Sequence, residues 1–126
     1  MINTIEDLVT ALKQLEVRAH AWEWNTDNAA EIDAIDEFYN SLHSHLEDFV
    51  ILSIGRFGLK EEGIGFEDLS YQPYSQEYVD WILEKLEEFL INHLKNPQTD
   101  FTPELEAVIV KMIRDITKFN YAMTIS

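Results

Sequence analysis

Apolar residues recur along this chain at alternating steps of three and four, which is the spacing of one face of an α-helix. Four segments follow the pattern, so we predict an all-α chain with helices at about residues 4–25, 29–54, 76–95 and 103–123. Each helix should bury one stripe, and together the stripes predict this core: Ile5, Leu8, Leu12, Leu15, Ala19, Trp22, Ile35, Tyr39, Leu42, Leu46, Phe49, Ser53, Val79, Ile82, Leu86, Phe89, Leu90, Leu105, Ile109, Met112, Ile116, Phe119 and Met123.

Helix-breaking and capping residues mark the ends of these segments. Gly55 is expected to stop the second helix, because glycine is common just after a helix ends. Ser75 precedes the third helix, and Pro97 follows it closely. Thr102 can cap the fourth helix, with Pro103 in the first helical position, where proline is favoured.

The lengths of the links predict how the helices connect. A chain of 126 residues forms one domain. The links between the first two and the last two helices are short, which makes each pair antiparallel neighbours. The long link at 56–74 lets the chain travel the length of the bundle, which is the ferritin-like connection. We therefore expect a single ferritin-like four-helix bundle over 1–126, with the crossover between the second and third helices.

The chain is strongly acidic, with 24 acidic and 9 basic residues and a formal net charge of −15. A phosphate backbone is repelled by such a field, so we expect no nucleic-acid partner. Two interpretations of the acidity remain open. It keeps the surface solvated, or it attracts basic proteins by imitating nucleic acid.

Other features bear on the compartment. The sequence has no cysteine and no apolar run long enough to span a membrane. Its first residues, MINTIEDLV, are acidic and lack the features of a secretory signal. We expect a cytoplasmic protein without a membrane partner.

Several motifs resemble a known superfamily. The segments HAWEWNTDNAAEIDAIDEFYNSL (20–42) and LEDFV (46–50) are similar to the first helical pair of the Dps and ferritin-like proteins. They resemble more closely a family of small phage proteins with the patterns H-x-W-H-W-x-T, A-E-H, FYD and DEFVE. The closing FNYAMTIS (119–126) is also similar to the end of that family.

The resemblance implies a degenerate metal site. Dps-type proteins carry five ligands in the order His, His, Asp, Asp, Glu, contributed by two subunits. The matching positions here are His20, Ile32, Asp36, Glu47 and Ile51. His20, Asp36 and Glu47 would hold iron or zinc weakly, and two ligands of the ferroxidase set are absent. Alternatively, His20 forms a structural hydrogen bond with one of the two acids in an interface.

An outer flank of the first two helices also carries apolar residues that the core stripe does not cover. It predicts self-association, as a dimer or a larger assembly, through these residues: Val17, His20, Trp24, Ile32, Val50, Ile51 and Ile54. His43 and His45 on the second helix point about 200° apart and should not chelate one ion.

Two functions follow as expectations. The first is a non-catalytic interaction or inhibitor protein of phage type, which binds a basic host protein in the host cytoplasm and needs no cofactor. The second is a metal-binding mini-ferritin that binds or stores iron.

Overall fold

The structure is a computed structural model that describes residues 5–57, 73–94 and 103–125. These residues form four α-helices and no strand: α1 (Ile5–Trp24), α2 (Ala29–Phe57), α3 (Gln76–Leu94) and α4 (Pro103–Ile125). The predictions of an all-α chain and of four helices are confirmed. Within the described ranges, no helix is sufficiently long and apolar to cross a membrane.

The predicted helix starts agree well with the structure. Ser75 accepts a hydrogen bond from the backbone N–H of Tyr78 at 3.3 Å, and α4 begins at Pro103. The start of α2 has a cap that the sequence analysis missed. The Oδ1 atom of Asn28 accepts hydrogen bonds from the N–H groups of Ala30, at 2.9 Å, and Glu31, at 3.3 Å. Thr102 and most of the expected crossover at 56–74 lie outside the described residues.

The predicted stop at Gly55 is wrong, because α2 continues to Phe57. A glycine within a helix costs about 1 kcal/mol relative to alanine, which does not by itself end a long, packed helix. A Cβ atom added at Gly55 would meet nothing within 4 Å. The position therefore does not require glycine for packing.

The buried stripes meet in one core, which contains these apolar residues: Leu8, Val9, Ala11, Leu12, Leu15, Ala19, Trp22, Ile35, Phe38, Leu42, Leu46, Phe49, Val79, Ile82, Leu86, Phe89, Leu105, Val108, Ile109, Met112, Ile116 and Phe119. Ile5, Leu90 and Met123 are partly buried against it. The assignment of Tyr39 to the core is wrong. Phe38 is buried there and stacks on Phe119 at 4.2 Å between ring centroids, while Tyr39 is half-buried beside α1.

Helix α2 lies between α1 and α4 and packs most extensively against α4. Helix α3 packs against α4, with a smaller contact to α1. Contacts such as His20 with Tyr39 and Glu16 with His43 show that α1 and α2 are antiparallel, since the residue numbers rise along one helix and fall along the other.

The start of α3 is held by an aromatic cluster at the end of α1. The ring of Trp22 meets that of Tyr74 edge-on at 5.3 Å between centroids, and it stacks on Phe119 at 6.1 Å. The Arg18 guanidinium lies over the ring of Tyr78 at 4.2 Å. These contacts fix the start of α3 against the end of α1 and against α4.

A polar network centred on the buried Asn120 adds to this anchor. The Tyr74 hydroxyl donates to the Oδ1 atom of Asn120 at 2.5 Å, and Asn120 Nδ2 donates to Asp80 Oδ1 at 2.8 Å. Asn120 is buried, so its amide is satisfied on both sides by residues near the start of α3.

Candidate functional site

A set of titratable and aromatic side chains lines the groove between α1 and α2. We call this set the α1–α2 face: Glu16, His20, Glu23, Trp24, Asp36, Tyr39, His43 and Glu47. Glu23 and Trp24 stand three and four residues after His20, which stands four after Glu16, and the α2 members are also spaced by three or four residues, so each group lies along one side of its helix. Because the two helices are antiparallel, the groups meet as pairs across the groove.

At one end of this face, His20 is held between aromatic rings. It stacks on Tyr39 with a centroid distance of 3.7 Å and lies 6.0 Å from the ring of Trp24. Beside it, Glu23 forms a side-chain hydrogen bond with Asp36. Burial raises the pKa of the Glu23 carboxyl, and the bond to Asp36 raises it further, while the nearby His20 opposes this shift. The Glu23 carboxyl is therefore protonated more readily than an isolated glutamate.

At the other end, His43 lies between two carboxylates. Its Nδ1 atom is 3.2 Å from Oε1 of Glu16, and its Nε2 atom is 3.1 Å from Oε1 of Glu47. Glu16 is only 4% exposed, and its other oxygen accepts a hydrogen bond from Lys13 at 3.3 Å. A buried carboxylate is costly unless it is paired, so these contacts explain how α1 tolerates Glu16.

The three residues predicted as residual metal ligands are not gathered at one point within the chain. His20 and Asp36 both lie beside Glu23, whereas Glu47 contacts His43. Asp36 and Glu47 are eleven residues apart on one helix, or about 16 Å along its axis. No group of three His, Asp or Glu side chains in the described ranges is arranged to hold a metal ion. A shared ion would need ligands from a second chain, and the metal site stays a prediction.

The histidines of the H-x-H motif face different helices, as predicted. His43 contacts Glu16 of α1, whereas the Nδ1 atom of His45 lies 2.5 Å from Oδ2 of Asp115 on α4. Nearby, the exposed Lys118 donates to Glu37 at 2.5 Å. These two pairs link α2 to α4 and leave a shallow groove of about 100 Å³ between them.

The predicted interface residues divide into two groups. Val17, Trp24, Ile51 and Ile54 are exposed, with 79% of Trp24 accessible, while His20, Ile32 and Val50 are half-buried. Val50 packs partly against the core. Ile51 lines a separate groove of about 420 Å³ between α2 and the start of α4, together with Leu52 and Val108. No described contact tests the predicted self-association.

Helix α3 presents a second candidate surface, which we call the α3 outer face: Glu77, Asp80, Trp81, Glu84, Glu87, Glu88 and Ile91. All seven are exposed, and Trp81 is 42% accessible. Lys85 is the one lysine of this helix, and it pairs with Glu88 at 3.3 Å. The face is therefore acidic, with two large apolar side chains among its carboxylates.

Sequence reasoning missed two residues of these sites. Glu16 stands four residues after the buried Leu12, so the helical period itself placed it near the core. Asn120 likewise stands four residues after the buried Ile116, so the same period placed it near the core. No protein-family model, curated protein or solved structure matches this chain.

Proposed function

We propose that this chain is a non-catalytic, ferritin-like interaction protein with a degenerate metal site, which self-associates and binds a basic protein. The topology supports the ferritin-like part. Contacts of Tyr74 and Tyr78 with Trp22 put the start of α3 near the end of α1, where α2 also begins. Helices α2 and α3 therefore start at the same end of the bundle and run in the same direction, which is the arrangement of the second and third helices in a ferritin-like bundle.

The proposal that the protein is non-catalytic rests on one observation. The side chains at the positions where the resemblance expects metal ligands make contacts within the chain instead. His20 stacks on Tyr39, Asp36 bonds to Glu23, and Glu47 pairs with His43. Ferroxidase chemistry needs histidines and carboxylates oriented toward an open coordination position. In this chain, Ile32 and Ile51 also lack donor atoms where the resemblance places two ligands.

The exposed apolar residues support self-association. Trp24, Val17 and Ile54 lie outside the core. Burying each such side chain contributes about 1.5–3 kcal/mol before the entropy cost of association is subtracted. A dimer through the flank of α1 and α2 is the assembly that this surface favours.

The acidic surface supports a basic protein partner rather than a nucleic acid. Of the cations in the described ranges, Lys13, Lys85 and Lys118 pair with glutamates, and Arg18 lies over Tyr78. Lys85 offsets part of the charge of α3 through Glu88, while Glu77, Glu84 and Glu87 of the same helix are exposed. The resemblance to small phage proteins makes a host protein the proposed partner, with inhibition of that protein as its purpose.

Co-purification with a salt comparison tests this function. Untagged protein is isolated from its natural host at about 0.05 M and about 0.5 M salt, and any enriched partner is purified and recombined with it. We expect a basic partner that binds directly and more weakly at the higher salt. Stoichiometric iron with rapid Fe²⁺ oxidation, and no direct partner, would favour the mini-ferritin alternative.

A further inference from the structure

The outward side of α3 has the spacing of a helix-pairing seam. Glu77, Trp81, Glu84, Glu88 and Ile91 are separated by steps of four, three, four and three, and all are exposed. The buried residues of α3 lie on the opposite side of the helix. Helices that pack side by side place apolar residues at positions with this repeat, and two of these five residues, Trp81 and Ile91, are large and apolar. No described helix covers it, since α3 packs against α4 and α1 through its other side.

The composition of the seam determines what can pack there. Trp81 and Ile91 are large apolar side chains set among carboxylates, and Glu87 extends the negative charge along one flank, where Asp80 also accepts a hydrogen bond from Asn120. Lys85 offsets part of it through its pair with Glu88. Lysine or arginine side chains of a partner helix can pack their methylene groups over Trp81 while their charged groups reach the carboxylates.

We propose that the α3 outer face is the docking site for a basic, amphipathic α-helix of the partner protein. The assignment rests on the proposed function, because it names the surface and the kind of segment through which a basic protein binds. A nucleic acid or an anionic lipid surface is repelled by the same carboxylates. Trp81 is the expected anchor, since tryptophan is enriched among the residues that dominate binding energy at interfaces.

A defined peptide tests the assignment without knowledge of the natural partner. The probe is a labelled helical peptide with leucines at its seam positions and lysines beside them, and binding is measured by fluorescence anisotropy at low salt. We expect Trp81→Ala, and separately Glu84→Lys with Glu87→Lys, to weaken binding about tenfold or more. A peptide with glutamates in place of the lysines, and one interrupted by proline, should both fail to bind.

The control is Asp33→Lys with Asp48→Lys, which makes the same charge change at exposed acids of α2, a helix that packs against α1 and α4. This variant should bind the peptide within about threefold of the parent, since its charges lie away from the seam. Circular dichroism confirms that each variant is folded. If the α3 variants and the control bind equally well, or if the proline peptide binds as well as the helical one, the docking site is refuted while the proposed function stands. If the parent does not bind the basic peptide at low salt, the docking site is refuted, and the co-purification decides the proposed function separately.

Discussion

The ring of His20 stacks on the ring of Tyr39 with a centroid distance of 3.7 Å and an interplanar angle of 29°. This contact joins α1 to α2 across the groove where the resemblance expects a metal ligand. His20 still lies close enough to influence the Glu23 carboxyl, which bonds to Asp36. A metal-binding side chain introduced next to Asp36 would therefore lie close to three possible ligands, His20, Glu23 and Asp36.

Ile32 offers that position, because it lies one helical turn before Asp36 on the same side of α2. We expect Ile32→His to raise the affinity for Zn²⁺ by about tenfold or more, since the added imidazole would act together with Asp36 and His20. Isothermal titration calorimetry at neutral pH measures the change. The variant with both Ile32→His and Ile51→Glu should bind iron better than the parent if two chains assemble the site.

The matched control is Ile54→His, which adds the same ring at an exposed position with no acid one turn before it. This variant should bind Zn²⁺ like the parent. Equal affinity in both variants would mean that His20 and Asp36 do not contribute, and that their contacts with Tyr39 and Glu23 are purely structural.

The contrast between core and groove shows what the sequence could predict. The helices and most of the core followed from apolar spacing, because a helix with one apolar side has only one side to bury. Apolar spacing did not decide whether Phe38 or Tyr39 is the buried residue. Adjacent residues point about 100° apart, both are aromatic, and the angle of α4 decides which one is buried. Spacing within α2 contains no information about that angle.

The groove contacts were less predictable for a related reason. His43 and Glu16 are both polar, and a polar residue beside an apolar stripe has the same spacing whether it faces water or a partner on the next helix. Only the antiparallel pairing of α1 and α2 brings the Nδ1 atom of His43 to 3.2 Å from the Glu16 carboxylate. The metal ligands were named from a resemblance, which gave residue types but not their present contacts.

Self-association is expected to depend on Trp24. Trp24→Glu places a charge in the apolar flank and should convert a dimer to a monomer at tens of micromolar protein, because desolvating an unpaired carboxylate is costly. Light scattering after size exclusion measures the mass. Tyr121→Glu, at an exposed position of α4, is the control and should leave the mass unchanged. A parent protein that is already a monomer at this concentration would contradict the predicted interface.

The network around Asn120 should contribute to stability. Asn120→Ala leaves the Tyr74 hydroxyl and Asp80 without their shared partner, so we expect the free energy of unfolding to fall by about 1–3 kcal/mol. Urea denaturation followed by circular dichroism measures it. The control, Asn40→Ala, changes an exposed position and should shift stability by no more than about 0.5 kcal/mol. Similar losses in both variants would show that the network adds little.

The same network predicts how stability changes in alkaline solution. Burial raises the pKa of Tyr74 above its ordinary value of 10.0, and the charge of Asp80 raises it further. The folded protein therefore keeps this proton at a pH where the unfolded chain has lost it, so stability falls as pH rises from the unfolded pKa through the folded one. Below that window, Tyr74 has no effect on the pH dependence.

Tyr74→Phe tests this directly. Phenylalanine cannot lose a proton, so the variant should be less stable than the parent at neutral pH, where it lacks the hydrogen bond to Asn120, but should lose less stability above about pH 10. Urea midpoints measured at neutral and alkaline pH give both values. Tyr121→Phe, at an exposed tyrosine, should follow the alkaline loss of the parent. If Tyr74→Phe loses as much stability as the parent between neutral and alkaline pH, the folded structure does not protect the Tyr74 proton.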